Sequence, residues 1–354
     1  MNIPAAIVAE QPSVLSVRTD LPARAWDDYV ARRPDASVYH LSAWAGLVER
    51  VFGHRTRYLA ACAGGEIVGI LPLVLFSTPL FGRFATSMPF VNYGGIVADT
   101  SEAATALLAA AVDETKSAKA AYLELRHTRR MFESLPVQTH KVEMVLPLQP
   151  TVEEQWRVLD RKLRNQVRKA EKSGLTVARG GAELLDSFYD VLARNMRDLG
   201  SPVHSKRFFA DILATFPDRT RLLCVSLGSI PVAASLVIWH GDRIEVPWAS
   251  ALRAHNPLCP NVLLYWDMLR LSIERRFERF DFGRSTPHEG TFNFKQQWGA
   301  EPQQLYWEYW LSEGRSLPDR SPKNPRFAAV IATWRRLPLA VTRTVGPLIV
   351  RGIP

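Results

Sequence analysis

RYLAACAGGEIVGILPLVL (residues 57–75) and RLLCVSLGSIPVAASLVIW (residues 221–239) are two versions of one pattern. Each sets two apolar runs around a small pair, Gly64-Gly65 or Gly228-Ser229. Such a pair suits a two-residue hairpin turn, where positive φ is needed. A shift of 164 residues superposes the stretches without a gap, placing Gly64 on Gly228 and Val68 on Val232. Toward the N-terminus the same shift puts Arg55-Thr56-Arg57 on Arg219-Thr220-Arg221. Beyond them His40, Trp44, Val48 and Phe52 fall on His204, Phe208, Ile212 and Phe216, a spacing of four that one helix face requires. Toward the C-terminus the shift becomes 158. SEAATALLAAAVDETKSA (101–118) and NVLLYWDMLRLSIERRF (261–277) read as helices, and YLELRH (122–127) and RFDFGRS (279–285) as strands reaching Arg126 and Arg284.

The chain therefore holds one α-α-β-β-β-α-β unit twice. Helices on a mixed sheet define an α/β (α+β) class. The first unit is expected over residues 12–147, ending at the Pro147–Pro150 breakers, and the second over 150–313, with a tail at 314–354. A length of 354 residues, 47% hydrophobic, accommodates two such domains and excludes a disordered chain. Cys62, Cys224 and Cys259 are odd in number and lack CxxC spacing, so neither a disulfide framework nor a zinc site is expected. The opening MNIPAAIVAEQPSVLS lacks a basic n-region and is interrupted by Glu10, which argues against a signal peptide; no 18-residue apolar run exists. A cytoplasmic protein is expected, and the formal charge of +9 favours anionic partners.

Four segments carry chemistry. In TVEEQWRVLDRKLRNQVRKAEKSG (151–174), Trp156, Leu159, Leu163, Val167 and Ala170 share one helical face. Arg157, Arg161, Arg164, Arg168 and Lys172 recur nearly opposite, with Asn165 and Lys169 beside them, and Gly174 ends the helix. Arginine forks fit phosphate, although a solvated basic face is the plainer reading. In FDFGRSTPHEGTFNFKQQWGAEPQQLYWEYW (280–310), Arg284 and Lys295 lie past a strand end, where ligands sit in open sheets. They are candidates to hold a phosphate or stabilise an oxyanion, with Ser285 as a substrate contact; a surface ion-pair cluster with Asp281 is the alternative. In SMPFVNYGGIVADTSEAA (87–104), Tyr93 precedes a Gly-Gly step that reads equally as a plain turn or as a place of close ligand approach, and Thr100 or Ser101 caps the next helix. In the second unit, Asn261 is a candidate N-cap with Tyr265 one turn inside, and Glu245 in IEVPWAS is a candidate general base or a structural acid.

RNQVRKAEKSGL, the DFGRS strand end and FKQQWG together resemble the FemAB-like branch of the GNAT superfamily, nearest to the FemAB-like proteins of exosortase (PEP-CTERM) and exopolysaccharide systems. The resemblance covers nearly all of the chain and implies two GNAT-like domains. It implies transfer of an acyl or aminoacyl group to an amine of a peptidoglycan-type or exopolysaccharide precursor. No firmly bound cofactor is implied; the donor would be aminoacyl-tRNA or acyl-CoA, and the acceptor a phosphorylated or lipid-linked glycan precursor. Lys295 matches the family lysine of the Phe-Lys motif, near the donor ester. Two departures stand out. Arg253–Leu258 holds no glycine where acetyl-CoA-type GNATs keep a pyrophosphate loop, and the helical hairpin of some FemAB enzymes is missing. A non-catalytic tandem module that binds a phosphorylated glycan, or a nucleic-acid binder using the 157–172 stripe, are the competing readings.

After Asp319 no acidic residue follows. The tail mixes Ile331, Trp334, Leu337, Leu339 and Leu348 with Arg326, Arg335, Arg336, Arg343 and Arg351. Pro338 and Pro347 interrupt any long helix. It is expected either to lie on the anionic inner face of a membrane or to dock on the protein body.

Overall fold

The fold is that of a computed structural model, which describes residues 14–79, 81–318 and 325–354. The segment read above for a leader lies mostly outside the described residues, as do 319–324 and the side chain of Arg326. The first unit runs β1 (Ser16–Arg18), α1 (Ala23–Arg32), α2 (Ala43–Phe52), β2 (Arg55–Ala63), β3 (Glu66–Thr78), β4 (Gly82–Thr86), β5 (Val97–Ala98), α3 (Ser101–Ser117), β6 (Tyr122–His127) and β7 (Val137–Gln138). Then come β8 (Val142–Pro147), α4 (Val152–Val158), α5 (Arg161–Lys172) and β9 (Leu175–Gly180). The repeat follows as α6 (Leu185–Leu199), α7 (Lys206–Thr215), β10 (Thr220–Leu227), β11 (Ile230–His240), β12 (Arg243–Ala251), α8 (Pro260–Glu274) and β13 (Arg279–Ser285). The chain closes with α9 (Gly290–Gln296), β14 (Glu301–Gln304), β15 (Tyr306–Leu311), α10 (Pro325–Trp334) and α11 (Leu339–Val350).

Both copies thus show the expected α-α-β-β-β-α-β order. The glycine turns work as read: Gly64 and Gly65 take φ of 58° and 87°, and Gly228 takes 59°. Thr100 caps α3 by accepting from the Ala103 N–H. The basic segment differs from the single helix expected. Leu159 is extended, and the Asp160 carboxylate accepts from the Lys162 N–H at 2.6 Å, so α4 stops and α5 begins. An aspartate two residues before a backbone donor satisfies a helix start better than it continues a helix.

One sheet is ordered β1-β2-β3-β4-β6-β15-β7, with β5 beside β3; the other is β14-β8-β13-β12-β11-β10-β9. In each, an antiparallel meander ends in a parallel pair, β4 with β6 and β12 with β13. The units exchange their next strands. β8 leaves the first unit to pair with β13, and β15 leaves the second to pair with β6. The boundary placed after Pro147 is corrected accordingly: Val142–Pro147 belongs to the second sheet and Tyr306–Leu311 to the first. Sequence alone locates the apolar run of such a strand but not the sheet edge that receives it.

Repeat-related residues also meet across a pseudo-twofold between α2 and α7. Trp44 packs on Phe216 with ring centroids 5.1 Å apart, and Phe52 packs on Phe208 at 5.0 Å. Since Trp44 corresponds to Phe208 and Phe52 to Phe216, the contact is self-complementary, as a twofold interface requires. All four are buried in a single core shared by both units. The three cysteines are free, and among the described residues no helix is long and apolar enough to cross a membrane.

Candidate active site

The parallel pairing of β12 with β13 covers only Arg243–Glu245 against Arg279–Asp281. Past that point the strands part. Gly283 adopts φ 74°, and a Cβ there would lie 3.0 Å from the Val246 carbonyl oxygen. Glycine is required by both conformation and space. The loop of the first unit between β4 and β5 enters the gap. Asn92 Nδ2 donates to Glu245 Oε1 at 2.6 Å, and the Tyr93 hydroxyl lies 2.8 Å from Glu245 Oε2 and 3.1 Å from Asp281 Oδ2.

Three buried carboxyl groups gather here, Glu143 from β8, Glu245 from β12 and Asp281 from β13. One guanidinium serves two of them: Arg243 Nη2 donates to Glu143 Oε2 at 2.5 Å and to Asp281 Oδ2 at 2.6 Å. Burial, reinforced by the Asp281 charge, raises both Glu245 and Glu143 well above the usual carboxylate range, toward neutrality. A carboxyl poised there can take up or release a proton at physiological pH.

Beyond Asp281, α9 brings Lys295 under the end of β13. Its Nζ donates to the carbonyls of Gly283 and Arg284, each at 2.9 Å. Burial pulls the ammonium down to about 8, against the opposing pull of Asp281 and Glu245. The Arg284 side chain is exposed. Its guanidinium sits 5.6 Å from the ring of Trp307, a residue of β15 that also faces Arg126 at 4.7 Å. Arg126 is buried and paired with Glu124, whereas Arg284 makes no ion pair or hydrogen bond through its side chain among the described residues. The Ser285 hydroxyl next to it is buried without a hydrogen-bond partner. A cavity of about 540 Å³ opens between the units, walled by Tyr93, Arg126, His127, Glu143, Arg243 and Glu245 among others.

Residues 158–296 match the family model described as the acetyltransferase (GNAT) domain. No curated protein matches the sequence. Among solved structures, FemX is similar with TM-score 0.66 and 17% identity, over 82% of this chain and 96% of that one. L-PGS from Bacillus licheniformis is similar with TM-score 0.57 and 11% identity, over 92% and 97%. A tandem GNAT protein from the clavulanic acid biosynthesis pathway follows at TM-score 0.52 and 11% identity, over 86% and 100%. The chain shares the tandem-GNAT fold of these structures.

Within that fold the sequence-named residues separate into two groups. Glu245, Tyr93, Arg126, Arg284, Ser285 and Lys295 converge at the junction of the units. The surface cluster of Asp281, Arg284 and Lys295 is corrected: Asp281 and Lys295 are buried, and the partner of Asp281 is Arg243. Arg164, Asn165, Arg168 and Lys169 lie instead on α5, whose buried face packs on α8. Arg168 covers the Trp156 ring at 5.4 Å. Among the described residues no hydrogen bond or ion pair links these four to the junction. Tyr265 is a core residue, stacked on Phe282 at 5.4 Å and edge-on to Phe294 at 5.1 Å. Asn261 is not the N-cap: Cys259, at φ 59°, holds that position and Pro260 opens α8.

Sequence reading missed Asn92, Glu143 and Arg243. It also missed His127, which lines the cavity with Nδ1 2.6 Å from Glu308 and Nε2 buried without a partner. The signal was available in part, since Glu143 is the one charge of the apolar strand VEMVLP and Arg243 opens RIEVPW two residues before Glu245.

Proposed function

We propose that this protein is an acyl- or aminoacyl-transferase that joins its donor group to an amine of a phosphorylated or lipid-linked cell-wall or exopolysaccharide precursor, at the cytoplasmic face of a membrane. The observation that carries this reading is the convergence of a buried ammonium, Lys295, and a buried carboxyl of raised affinity for protons, Glu245, where β12 and β13 part. In the reaction the acceptor amine attacks the donor carbonyl. A C–N bond forms, the donor's C–O or C–S bond breaks, and the amine proton passes to Glu245 and then to the leaving oxygen or sulfur. Lys295, charged below pH 8, opposes the negative charge on the tetrahedral oxygen. Arg284 holds an anionic group of the acceptor, and the Ser285 hydroxyl is free to bond it. Tyr93 and Asn92 orient Glu245.

Aminoacyl-tRNA is the favoured donor. Ahead of α8, Arg253–Leu258 forms a glycine-free 3₁₀ turn, Pro260 brings no N–H, and the Val262 and Leu263 amides bond back to Cys259. That helix start offers little of the amide cradle a coenzyme A pyrophosphate uses. The basic stripe of α5 stays available to tRNA phosphates. The test offers purified protein labelled aminoacyl-tRNA or acyl-CoA with muramyl-peptide and amino-sugar acceptors. Label should reach the acceptor in wild type and be lost in Glu245→Gln and Lys295→Met. Acceptor binding with no transfer from any donor would favour the non-catalytic module.

A further inference from the structure

The tail docks, and its docking leaves an apolar face outward. On α11, Thr342, Gly346 and Val350 are buried, one turn apart. A Cβ on Gly346 would lie 3.0 Å from the Val203 backbone nitrogen, so helix and loop touch backbone to backbone. The Trp334 indole donates to the Ser201 carbonyl at 3.1 Å, and Arg343 pairs with Asp190. The Arg351 carbonyl lies 2.6 Å from His54 Nε2 of the first unit, so the tail is fixed to both units.

This attachment settles which side faces out. Val341, Val345 and Leu348 recur at spacings of four and three, on the side of α11 turned away from the docked residues. Val330 on α10 is exposed as well. These are four of the eight large hydrophobics that stay exposed among the described residues, gathered into two adjacent helices. Leu199 is exposed too, and its carbonyl accepts from Arg335. Arg335, Arg336 and Arg351 follow the ends of the same two helices, all exposed, and no acidic residue occurs after Asp319.

We propose that this face docks on an anionic lipid bilayer, with Val330, Val341, Val345 and Leu348 entering the headgroup boundary and Arg335, Arg336 and Arg351 meeting lipid phosphates. The charge decides the occupant. A second copy of this face would oppose like charges across the contact, whereas an anionic leaflet supplies the missing sign over its whole area. Docked helices of this kind lie in the interface plane and do not span. The surface stands independently of the transfer chemistry, since none of its residues belongs to the junction site.

The experiment is flotation of the full chain with vesicles of phosphatidylglycerol and phosphatidylcholine, or of phosphatidylcholine alone. Binding to the anionic vesicles is expected, weakening as salt rises. It should fall at least tenfold in Val345→Asp/Leu348→Asp and, separately, in Arg335→Glu/Arg336→Glu. All four positions are exposed, and circular dichroism and melting curves should match wild type. The proposal is overturned if wild type ignores anionic vesicles or both folded variants float like wild type. It is equally overturned if wild type self-associates through this face and the Val345/Leu348 variant is merely a monomer with unchanged vesicle binding.

Discussion

Lys295 and Glu245 are ionisable groups that the fold buries against their solvation preference. The ammonium is drawn down to about 8, so it is lost as pH rises through that value. Glu245 must be ionised to take a proton, and burial raises the pH at which that happens. A narrow bell-shaped profile of kcat/KM follows, with its acid limb above the usual carboxylate range and its alkaline limb near 8. Lys295→Arg, which keeps its charge, should move the alkaline limb upward; an unmoved limb would remove Lys295 from that role. Lys295→Met should lower kcat on the order of 10²–10³-fold with little change in KM. Arg284→Ala should act mainly on acceptor KM. Stability gives an independent reading. Glu245 binds its proton more tightly folded than unfolded, so folding stability should fall as pH rises from about 5 toward neutrality. Glu245→Gln should flatten that slope in urea titrations run across the range.

At the scale of elements, what depends on local pattern was legible and what depends on pairing was not. The glycine turns, the Thr100 cap and the four-residue spacing of Trp44 to Phe52 are written in neighbouring residues. The destinations of β8 and β15 are not, because an apolar strand carries no mark of the edge it joins. The site divides the same way. Arg284, Ser285 and Lys295 follow one strand and were read together, while Glu143 and Asn92 arrive from the first unit by exchange and insertion. Asp160 illustrates the limit of helical periodicity, since the apolar stripe of 156–170 continues through a break that its carboxylate makes. Asp160→Ala should cost about 1 kcal/mol of stability through the lost cap, measured by urea unfolding. If α5 receives tRNA phosphates, Arg168→Ala and Lys169→Ala should each weaken donor binding across tRNA species and reduce the salt slope by about 1.

For the molecule as a whole, exchange of strands and the shared aromatic core join the two units into one body. Calorimetry should show a single unfolding transition, and Trp44→Ala should lower the whole of it by about 3–5 kcal/mol rather than melt the first unit alone. Two separable transitions would contradict the joined core. The same joining builds the site: Tyr93 and Asn92 of one unit orient Glu245 of the other, and Trp307 lies under an arginine from each. The repeat supplies the frame, and in the proposed reaction the chemistry falls to Glu245, Asp281 and Lys295, where the second copy departs from the first. The most direct test is single-turnover transfer of label from aminoacyl-tRNA to an amine-bearing glycan precursor, comparing wild type with Lys295→Met and Glu245→Gln. The account predicts product in wild type and at least a hundredfold slower transfer in each variant; transfer that survives both substitutions at the wild-type rate would contradict it.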